Sequence, residues 1–190
     1  MTIIILAAGL SERMGENKLL LPFNGHELIL ETIDKALSYS KKVKVVIGYQ
    51  RERMEAVLAD YPVDIVYAED YRSGQMASTK RGIENVEDDD FAILPGDLPL
   101  ITEDDFIGCE KALEKHQISR CVSYGIPGHP VMLRKENRER ILSFHGTMKE
   151  YLSLYDTATY NGSIGCVFDA DTPERYRMLL NGDLDLSVLH

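Results

Sequence analysis

Short apolar runs rich in β-branched residues alternate along this chain with longer amphipathic stretches, and this alternation indicates a layered α/β fold. The apolar runs predict strands at Thr2–Ala7, Lys44–Gly48, Asp64–Ala68, Phe91–Leu94 and Ser119–Tyr124. Apolar residues at helical spacing predict helices at Glu27–Leu37, Glu52–Ala59, Gln75–Asn85 and from Thr102 to about His116. Strands that alternate with helices in this way are typical of a parallel sheet covered on both faces.

The alternation changes after Tyr124. Val131–Leu133 is a short apolar run directly after Pro130, and it predicts an edge strand or an antiparallel strand. The later segments predict helices at Glu136–Ser143 and Met148–Tyr155, a last strand at Gly165–Phe168 and a terminal helix from Pro173 through Leu180. We therefore expect a three-layer, Rossmann-like α/β fold, whose mostly parallel sheet includes an antiparallel strand in its C-terminal half.

Composition narrows the class of protein. The 190 residues fit a single domain over 1–190, and the formal net charge of −10 with scattered cations excludes a nucleic acid partner. No stretch approaches the apolar length of a membrane helix, and the first apolar run lacks the basic leader of a signal peptide. We therefore expect a cytoplasmic protein with no membrane partner. Cys109, Cys121 and Cys166 are odd in number and widely spaced, which predicts buried thiols, and Glu87–Asp90 predicts a solvated charged turn.

The first strand runs directly into a loop that combines small residues with two cations. Small residues let a ligand approach the backbone, and Gly9 and Gly15 can adopt positive φ so that amide groups converge on an anion. Arg13 and Lys18 supply positive charge. A polyphosphate fits this chemistry, while an ordinary strand-to-helix turn with two solvated cations remains the alternative. The predicted binding set of this segment is Leu6, Ala7, Ala8, Gly9, Ser11, Arg13, Gly15 and Lys18.

Two acidic positions are candidates for holding a cation. Asp97 follows the predicted strand Phe91–Leu94, and open α/β folds bind their ligands at the carboxyl ends of such strands. Gly96 allows the sharp turn that directs the carboxylate toward a bound ion; the alternative is an ordinary aspartate in a Gly-Asp turn. Asp171 either helps to hold the cation or caps the terminal helix.

Five segments together resemble the signatures of one family. The first reads Leu-Ala-Ala-Gly-x-Ser-x-Arg-Met-Gly-x-x-Lys from Leu6 to Lys18 and continues to Gly25. The others are Gly74–Gly82, Leu94–Ile101, Gly128–Val131 and Asp169–Glu174. In this order they closely resemble the molybdenum-cofactor nucleotidylyltransferases, within the nucleotide-diphospho-sugar transferase-like superfamily, over nearly the whole chain.

The resemblance implies transfer of a nucleoside monophosphate from a nucleoside triphosphate to molybdopterin, with release of pyrophosphate. It implies that residues 1–101 bind the nucleotide, that Mg²⁺ lies on Asp97, and that Arg13 and Lys18 stabilise the leaving pyrophosphate. It places Gly74 and Ser78 near the nucleobase, and Gly96 beside the nucleotide. Because the guanylyl branch tends to carry a second glycine where Ala8 stands, the resemblance favours CTP over GTP.

The acceptor side, 102–190, resembles the family less closely. His129 within Gly-His-Pro is implied to face a molybdopterin-like phosphorylated acceptor. Where many cytidylyl members read Gly-Asp-x-Gly-Ala-Arg, this chain reads His145-Gly146-Thr147-Met148-Lys149, and Lys149 is the candidate to replace the arginine charge. Two alternatives stay open: transfer to another phosphorylated acceptor such as a sugar phosphate, or a non-catalytic protein that delivers molybdenum cofactor to a molybdenum hydroxylase.

Overall fold

A seven-stranded sheet forms the centre of the computed structural model, which describes residues 1–86 and 89–189. Its strands are β1 (Thr2–Ala7), β4 (Val43–Ile47), β5 (Asp64–Tyr67), β6 (Phe91–Pro95), β7 (Ile118–Ser123), β8 (Ile126–Leu133) and β9 (Ala158–Asn161). A separate two-stranded hairpin, which we did not predict, consists of β2 (Pro22–Phe23) and β3 (His26–Glu27). The first two residues of the predicted charged turn at Glu87–Asp90 lie outside the described residues.

Seven α-helices connect and cover these strands within the described residues. They are α1 (Leu28–Tyr39), α2 (Arg51–Leu58), α3 (Gln75–Ile83), α4 (Glu103–Leu113), α5 (Asn137–Ser143), α6 (Met148–Ser153) and α7 (Pro173–Asn181). The predicted start of α4 is confirmed, because Thr102 and Asp105 form a reciprocal capping box. At α7 the cap is the hydroxyl of Thr172, which accepts from the Arg175 amide, so Asp171 is free for another role.

The sheet order is β5-β4-β1-β6-β8-β7-β9, and β1 pairs in parallel with both β4 and β6. Every residue of β1 is buried, which explains its continuous apolar sequence, because helices cover both faces of the sheet. Ile3 and Ile5 pack in one core with α1 and α4, whereas Ile4 and Leu6 pack in a second core with α3, α5 and α6. The predicted three-layer, mostly parallel fold is therefore confirmed.

The antiparallel strand is β8, and it is longer than predicted. It lies between β6 and β7 and pairs antiparallel with both, so it is an interior strand and not an edge strand. The β7–β8 ladder is irregular: Arg120 pairs with Val131, but Val122 pairs with Pro127. Proline has no N–H to contribute to a ladder, and the irregularity falls where Pro130 interrupts the pairing.

The predicted strand at Gly165–Phe168 is wrong. A short 3₁₀ turn at Ile164–Cys166 occupies this position, with the Ser163 hydroxyl accepting from the Gly165 amide. A Cβ on Gly165 would lie 1.9 Å from the Leu100 carbonyl oxygen, so this segment is apolar because it is tightly buried and not because it is extended. The last strand is instead β9, an edge strand whose sequence, Ala-Thr-Tyr-Asn, lacks a strong apolar pattern.

The predicted buried thiols are confirmed, because all three cysteines are free and buried.

Across the described ranges, none of the helices is both long enough and apolar enough to cross a membrane.

Candidate active site

A loop from Ala8 to Lys18, here called the signature loop, leaves the carboxyl end of β1 and folds back on itself. The Ser11 hydroxyl accepts a hydrogen bond from the Lys18 amide at 3.2 Å, which closes the loop. Ser11 and Gly15 have left-handed φ values of 52° and 74°, on either side of a single 3₁₀ turn. A Cβ on Gly9 would meet nothing within 4 Å, so the backbone here borders open space. The predicted close approach of a ligand to this backbone is therefore sterically possible.

Asp97 lies beside this loop because β6 is the neighbour of β1. The Gly96 amide donates to the Leu6 carbonyl at 3.0 Å, which extends the ladder between the two strands by one bond. The Thr32 hydroxyl of α1 donates to the Gly96 carbonyl at 3.1 Å and holds the turn from the other side. The Asp97 side chain is only 4% exposed, at the carboxyl end of the sheet.

A third segment reaches the same point from the far end of the chain. The Ala170 amide donates to the Asp97 carbonyl at 3.2 Å, and this bond holds Asp169 and Asp171 next to Asp97. The three aspartates each offer a carboxylate oxygen, and these oxygens lie within 4.8 Å of one another. We predicted Asp97 and Asp171 as metal ligands but missed Asp169, although the Asp-x-Asp spacing was a usable signal.

Two cations of the signature loop contact these carboxylates directly. The Lys18 ammonium forms ion pairs with both Asp97 and Asp171. Arg13 forms an ion pair with Asp171, with 2.6 Å between Nη2 and Oδ2. Burial by itself lowers the pKa of Lys18, but the two carboxylates outweigh it and raise that pKa above its ordinary value. Burial raises the pKa of Asp171, but Lys18 and Arg13 outweigh it, so the net pKa is lowered.

Asp169 is in a different electrostatic position. Burial and the neighbouring charges of Asp97 and Asp171 raise its pKa, in spite of an ion pair of 2.6 Å with Arg175. Like charges held this close favour an additional cation in their midst. The cluster therefore offers the oxygen ligands that a divalent cation requires, and such an ion would compete with Lys18 for Asp97 and Asp171.

These groups line one cleft of about 560 Å³ at the carboxyl ends of β1 and β6. Most of the predicted site residues line it, namely Leu6, Ala8, Gly9, Ser11, Arg13, Lys18, Gly74, Ser78, Gly96, Asp97, His129 and Asp171. Three predicted residues are not among the lining residues: Ala7 is buried in β1, Gly15 supports the loop turn, and Lys149 is exposed on α6. The lining residues that we did not predict are Leu10, Glu12, Leu19, Tyr71, Arg72, Gln75, Pro95 and Asp169.

The N-terminus of α3 forms one wall of the cleft. Gly74 precedes the helix with φ of 104°, and a Cβ there would meet no atom within 4 Å. Ser78 lies one turn into the helix and is buried. The first N–H groups of a helix have no partner within the helix, so this wall offers hydrogen-bond donors to a ligand.

His129 forms another part of the wall. Its Nδ1 atom lies 3.4 Å from the Ile93 carbonyl oxygen. Burial, with the nearby positive charge of Arg120, lowers the pKa of His129 to about 4. The ring is therefore neutral at physiological pH.

A mostly parallel, doubly covered sheet with a cation-bearing loop and a carboxylate cluster at the carboxyl ends of its strands is typical of α/β proteins that bind a nucleotide there. The sequence model of the MobA-like NTP transferase domain matches residues 3–158, and the chain belongs to this family. The protein is a nucleotidyltransferase.

One sequence relative and two solved structures illustrate the similarity, and the two structures share the fold. The molybdenum cofactor cytidylyltransferase of Escherichia coli (strain K12) is 28% identical over 179 residues, covering 91% of this chain and 92% of that protein. A nucleotidyl transfer enzyme from Methanothermobacter thermautotroptrophicus has the same fold, with a TM-score of 0.84 at 20% identity over 96% of both chains. The structure of a Mycobacterium tuberculosis H37Rv protein in complex with manganese has a TM-score of 0.79 at 23% identity, over 95% of this chain and 97% of that one.

Proposed function

We propose that this protein transfers CMP from CTP to molybdopterin and releases pyrophosphate. The observation that carries the proposal is the convergence of Arg13, Lys18 and Asp97 in one cleft. Cations from the signature loop and a nearly buried carboxylate are the two elements that a metal-bound triphosphate requires. The similarity to a cytidylyltransferase over most of both chains supports the choice of CTP and of molybdopterin.

The choice of CTP rests further on Ala8. Ala8 is one of the residues that line the cleft, at the position where the guanylyl branch of the family tends to have glycine. The methyl group reduces the space beside the base, which favours a pyrimidine over a purine. In this proposal Gly74 and Ser78 read the edge of the base from the start of α3.

The carboxylate cluster fits a divalent cation. Asp97, Asp169 and Asp171 offer oxygen ligands within 4.8 Å of one another, and hard oxygen ligands are those that Mg²⁺ and Mn²⁺ prefer. We propose Mg²⁺ as the bound ion, and a related fold that is known as a manganese complex supports a divalent cation here. Bound at this cluster, the ion would neutralise phosphate charge.

The residues of the chain then have defined tasks. Arg13 and Lys18 bind the β- and γ-phosphates and stabilise the charge that develops on the leaving pyrophosphate. An oxygen of the acceptor phosphate attacks the α-phosphorus, a new P–O bond forms, and the bond to the β-phosphate bridging oxygen breaks. The acceptor phosphate is already ionised at neutral pH, so no protein base or nucleophile is needed. Catalysis consists of positioning and charge neutralisation.

The acceptor side stays a proposal. His129 faces the cleft and is the acceptor contact that we propose; Lys149 is exposed on α6 and stays a sequence prediction. The division into a nucleotide part, 1–101, and an acceptor part, 102–190, also stays a prediction, although Asp169 and Asp171 reach the nucleotide side from the second part. Another phosphorylated acceptor would leave the nucleotide side of the cleft unchanged. A molybdenum hydroxylase is the proposed recipient of the product.

The test measures pyrophosphate release with molybdopterin, Mg²⁺ and each of the four nucleoside triphosphates, and identifies the product by mass spectrometry. We expect turnover with CTP above all others. Asp97→Asn keeps the fold but loses metal-dependent turnover, because a near-isosteric amide provides no charge for the ion. Asp34→Asn, at an exposed position on α1, is the matched control and retains full activity. Nucleotide binding without turnover in the wild-type protein contradicts the proposal and favours a carrier.

A further inference from the structure

Arg120 lies beside the active-site cleft, on strand β7. Its Nη2 atom donates to the Gly128 carbonyl at 3.1 Å, and Gly128 immediately precedes the cleft residue His129. Its positive charge contributes to the lowered pKa of His129. The guanidinium is therefore held next to the wall of the cleft on which we place the acceptor.

The partners of the Arg120 guanidinium differ from those that a partly buried cation usually has. In residues 1–86 and 89–189, no carboxylate oxygen lies within 4.0 Å of its guanidinium nitrogens. Its Nε atom is buried and has no hydrogen-bond partner in the same part of the chain. Burial accordingly lowers the pKa of Arg120, and the contributions that oppose it come from cysteine thiols.

Other partly buried arginines of this protein are paired differently. Arg134 forms an ion pair with Asp90 at 2.8 Å, and Arg175 forms one with Asp169 at 2.6 Å. Because an uncompensated buried charge is costly, a cation without a carboxylate partner indicates that its partner arrives with a ligand.

His129 cannot supply this positive charge. A carbonyl oxygen only accepts hydrogen bonds, so the contact with Ile93 places the ring proton on Nδ1 and leaves Nε2 as an acceptor. A neutral ring of this kind offers an anion neither charge nor a second N–H. Arg120, which donates to Gly128 beside His129, can supply positive charge to this wall.

The sheet face around Arg120 has room for a ligand. Arg120 pairs with Thr159 of the edge strand β9, and paired residues on adjacent strands point to the same face. Thr159 is exposed, as are Pro127 on β8 and Asn161 on β9. An exposed strip of sheet therefore extends from the wall at His129 past Arg120.

We propose that Arg120 binds an anionic phosphate group of the acceptor and thereby positions it for attack. This inference rests on the proposed function, because it assigns the acceptor side of the same cleft. Arg120 is a specificity-determining residue here: it recognises a phosphorylated acceptor through charge-assisted hydrogen bonds, while the signature loop binds the triphosphate.

The first experiment compares the KM for molybdopterin with the KM for CTP in the wild type, Arg120→Met and Arg120→Lys. We expect Arg120→Met to raise the acceptor KM by about 10- to 100-fold, the effect of losing a charge-assisted hydrogen bond. The CTP KM should stay within about twofold, and Arg120→Lys should lie between, because it keeps the charge but loses the planar fork. Arg53→Met, at an exposed position on α2, is the matched control. Equal changes in both KM values, or an unchanged acceptor KM, overturn the proposal.

A second measurement does not depend on turnover. The nucleotide site is first saturated with Mg²⁺ and a non-hydrolysable CTP analogue, and inorganic phosphate is then added as the probe while the Tm is followed. We expect phosphate to raise the Tm of the wild type and of Arg53→Met by at least about 2 °C, but not that of Arg120→Met. An equal rise in Arg120→Met refutes the role of Arg120. If the wild type responds to phosphate but never transfers CMP, the proposed function fails and the anion site stands.

Discussion

Removing the ammonium of Lys18 should destabilise the protein far more than removing a surface lysine. Lys18 is 17% exposed and contacts two carboxylates, one of which, on Asp97, is 4% exposed. Lys18→Met keeps the apolar stem of the side chain but leaves these charges without their shared cation. Asp171 retains its ion pair with Arg13, so the main penalty falls on Asp97.

The magnitude follows from the burial of the pair. Breaking a buried ion pair by removing one partner costs about 3–5 kcal/mol, and we take the lower end because Asp171 keeps a second partner. In a protein of this size about 1 kcal/mol shifts the Tm by about 2–4 °C. We therefore expect Lys18→Met to lower the Tm by about 6–12 °C.

Lys42→Met is the matched control. Lys42 also pairs with an aspartate, Asp89, but its side chain is 66% exposed. Exposed pairs contribute about 0–1 kcal/mol, so this variant should lose less than about 4 °C.

The assay is thermal unfolding without nucleotide, with and without Mn²⁺. Lys18 contacts two of the three aspartates proposed to bind the ion, so in the wild type Mn²⁺ competes with its ammonium. In Lys18→Met that competition is absent. At a Mn²⁺ concentration 100 times the Kd of Lys18→Met, binding stabilises this variant by about 2.7 kcal/mol, and the same concentration should stabilise the wild type less. The reasoning is refuted if Lys18→Met unfolds at the same temperature as Lys42→Met. It is refuted equally if Mn²⁺ stabilises the wild type as much as Lys18→Met.

Three further expectations concern other parts of the molecule. The pKa of Asp171 is lowered in the folded state, so its contribution to stability is present above its ordinary pKa of 3.8 and is lost as pH falls through the folded value. In urea unfolding measured against pH, Asp171→Asn should therefore reduce the loss of unfolding free energy at acid pH. An acid dependence equal to that of the wild type contradicts the assignment. Gly82→Ala should destabilise by about 1–3 kcal/mol in spite of the better helix propensity of alanine, because the added Cβ would lie 2.4 Å from Ile4 Cγ2; a rise in Tm would show that the helix–sheet contact can relax. The three buried thiols should react with a thiol reagent only after unfolding, and rapid labelling of the native protein would show that this core opens.

Much of the fold follows from local sequence. Continuous apolar runs predicted β1, β4 and β6, because strands covered on both faces must be largely apolar. A short β-branched run predicted β5, although it is an edge strand with an exposed first half. Helix caps such as Thr102 with Asp105 are local chemistry and were recognisable as such. Edge strand β9 was missed because Tyr160 is its single large apolar residue, too little for a recognisable strand pattern. Gly165–Phe168 was misassigned because burial alone makes a segment apolar.

Some residues of the candidate site could likewise be recognised from local sequence, and others could not. The signature loop and Asp97 were recognisable because turn glycines, cations and a carboxylate after a strand are features of contiguous residues. The role of Asp169 was recognisable only in part: its spacing from Asp171 is a local signal, but nothing near it in sequence shows that it lies beside Asp97. That Arg120 has no carboxylate partner among residues 1–86 and 89–189 can also be seen only when the neighbouring strands are in place.

The sequence by itself determined the fold class, the family and the segments that carry the chemistry, because hydrophobic period, turn residues and motif spacing are encoded locally. Only the tertiary structure decided which charges meet. Lys18 is 79 residues from Asp97 and 153 from Asp171, and their contact depends on β6 lying next to β1 and on the Ala170 amide binding the Asp97 carbonyl. Such contacts are set by the order of strands in the sheet, which no local pattern specifies.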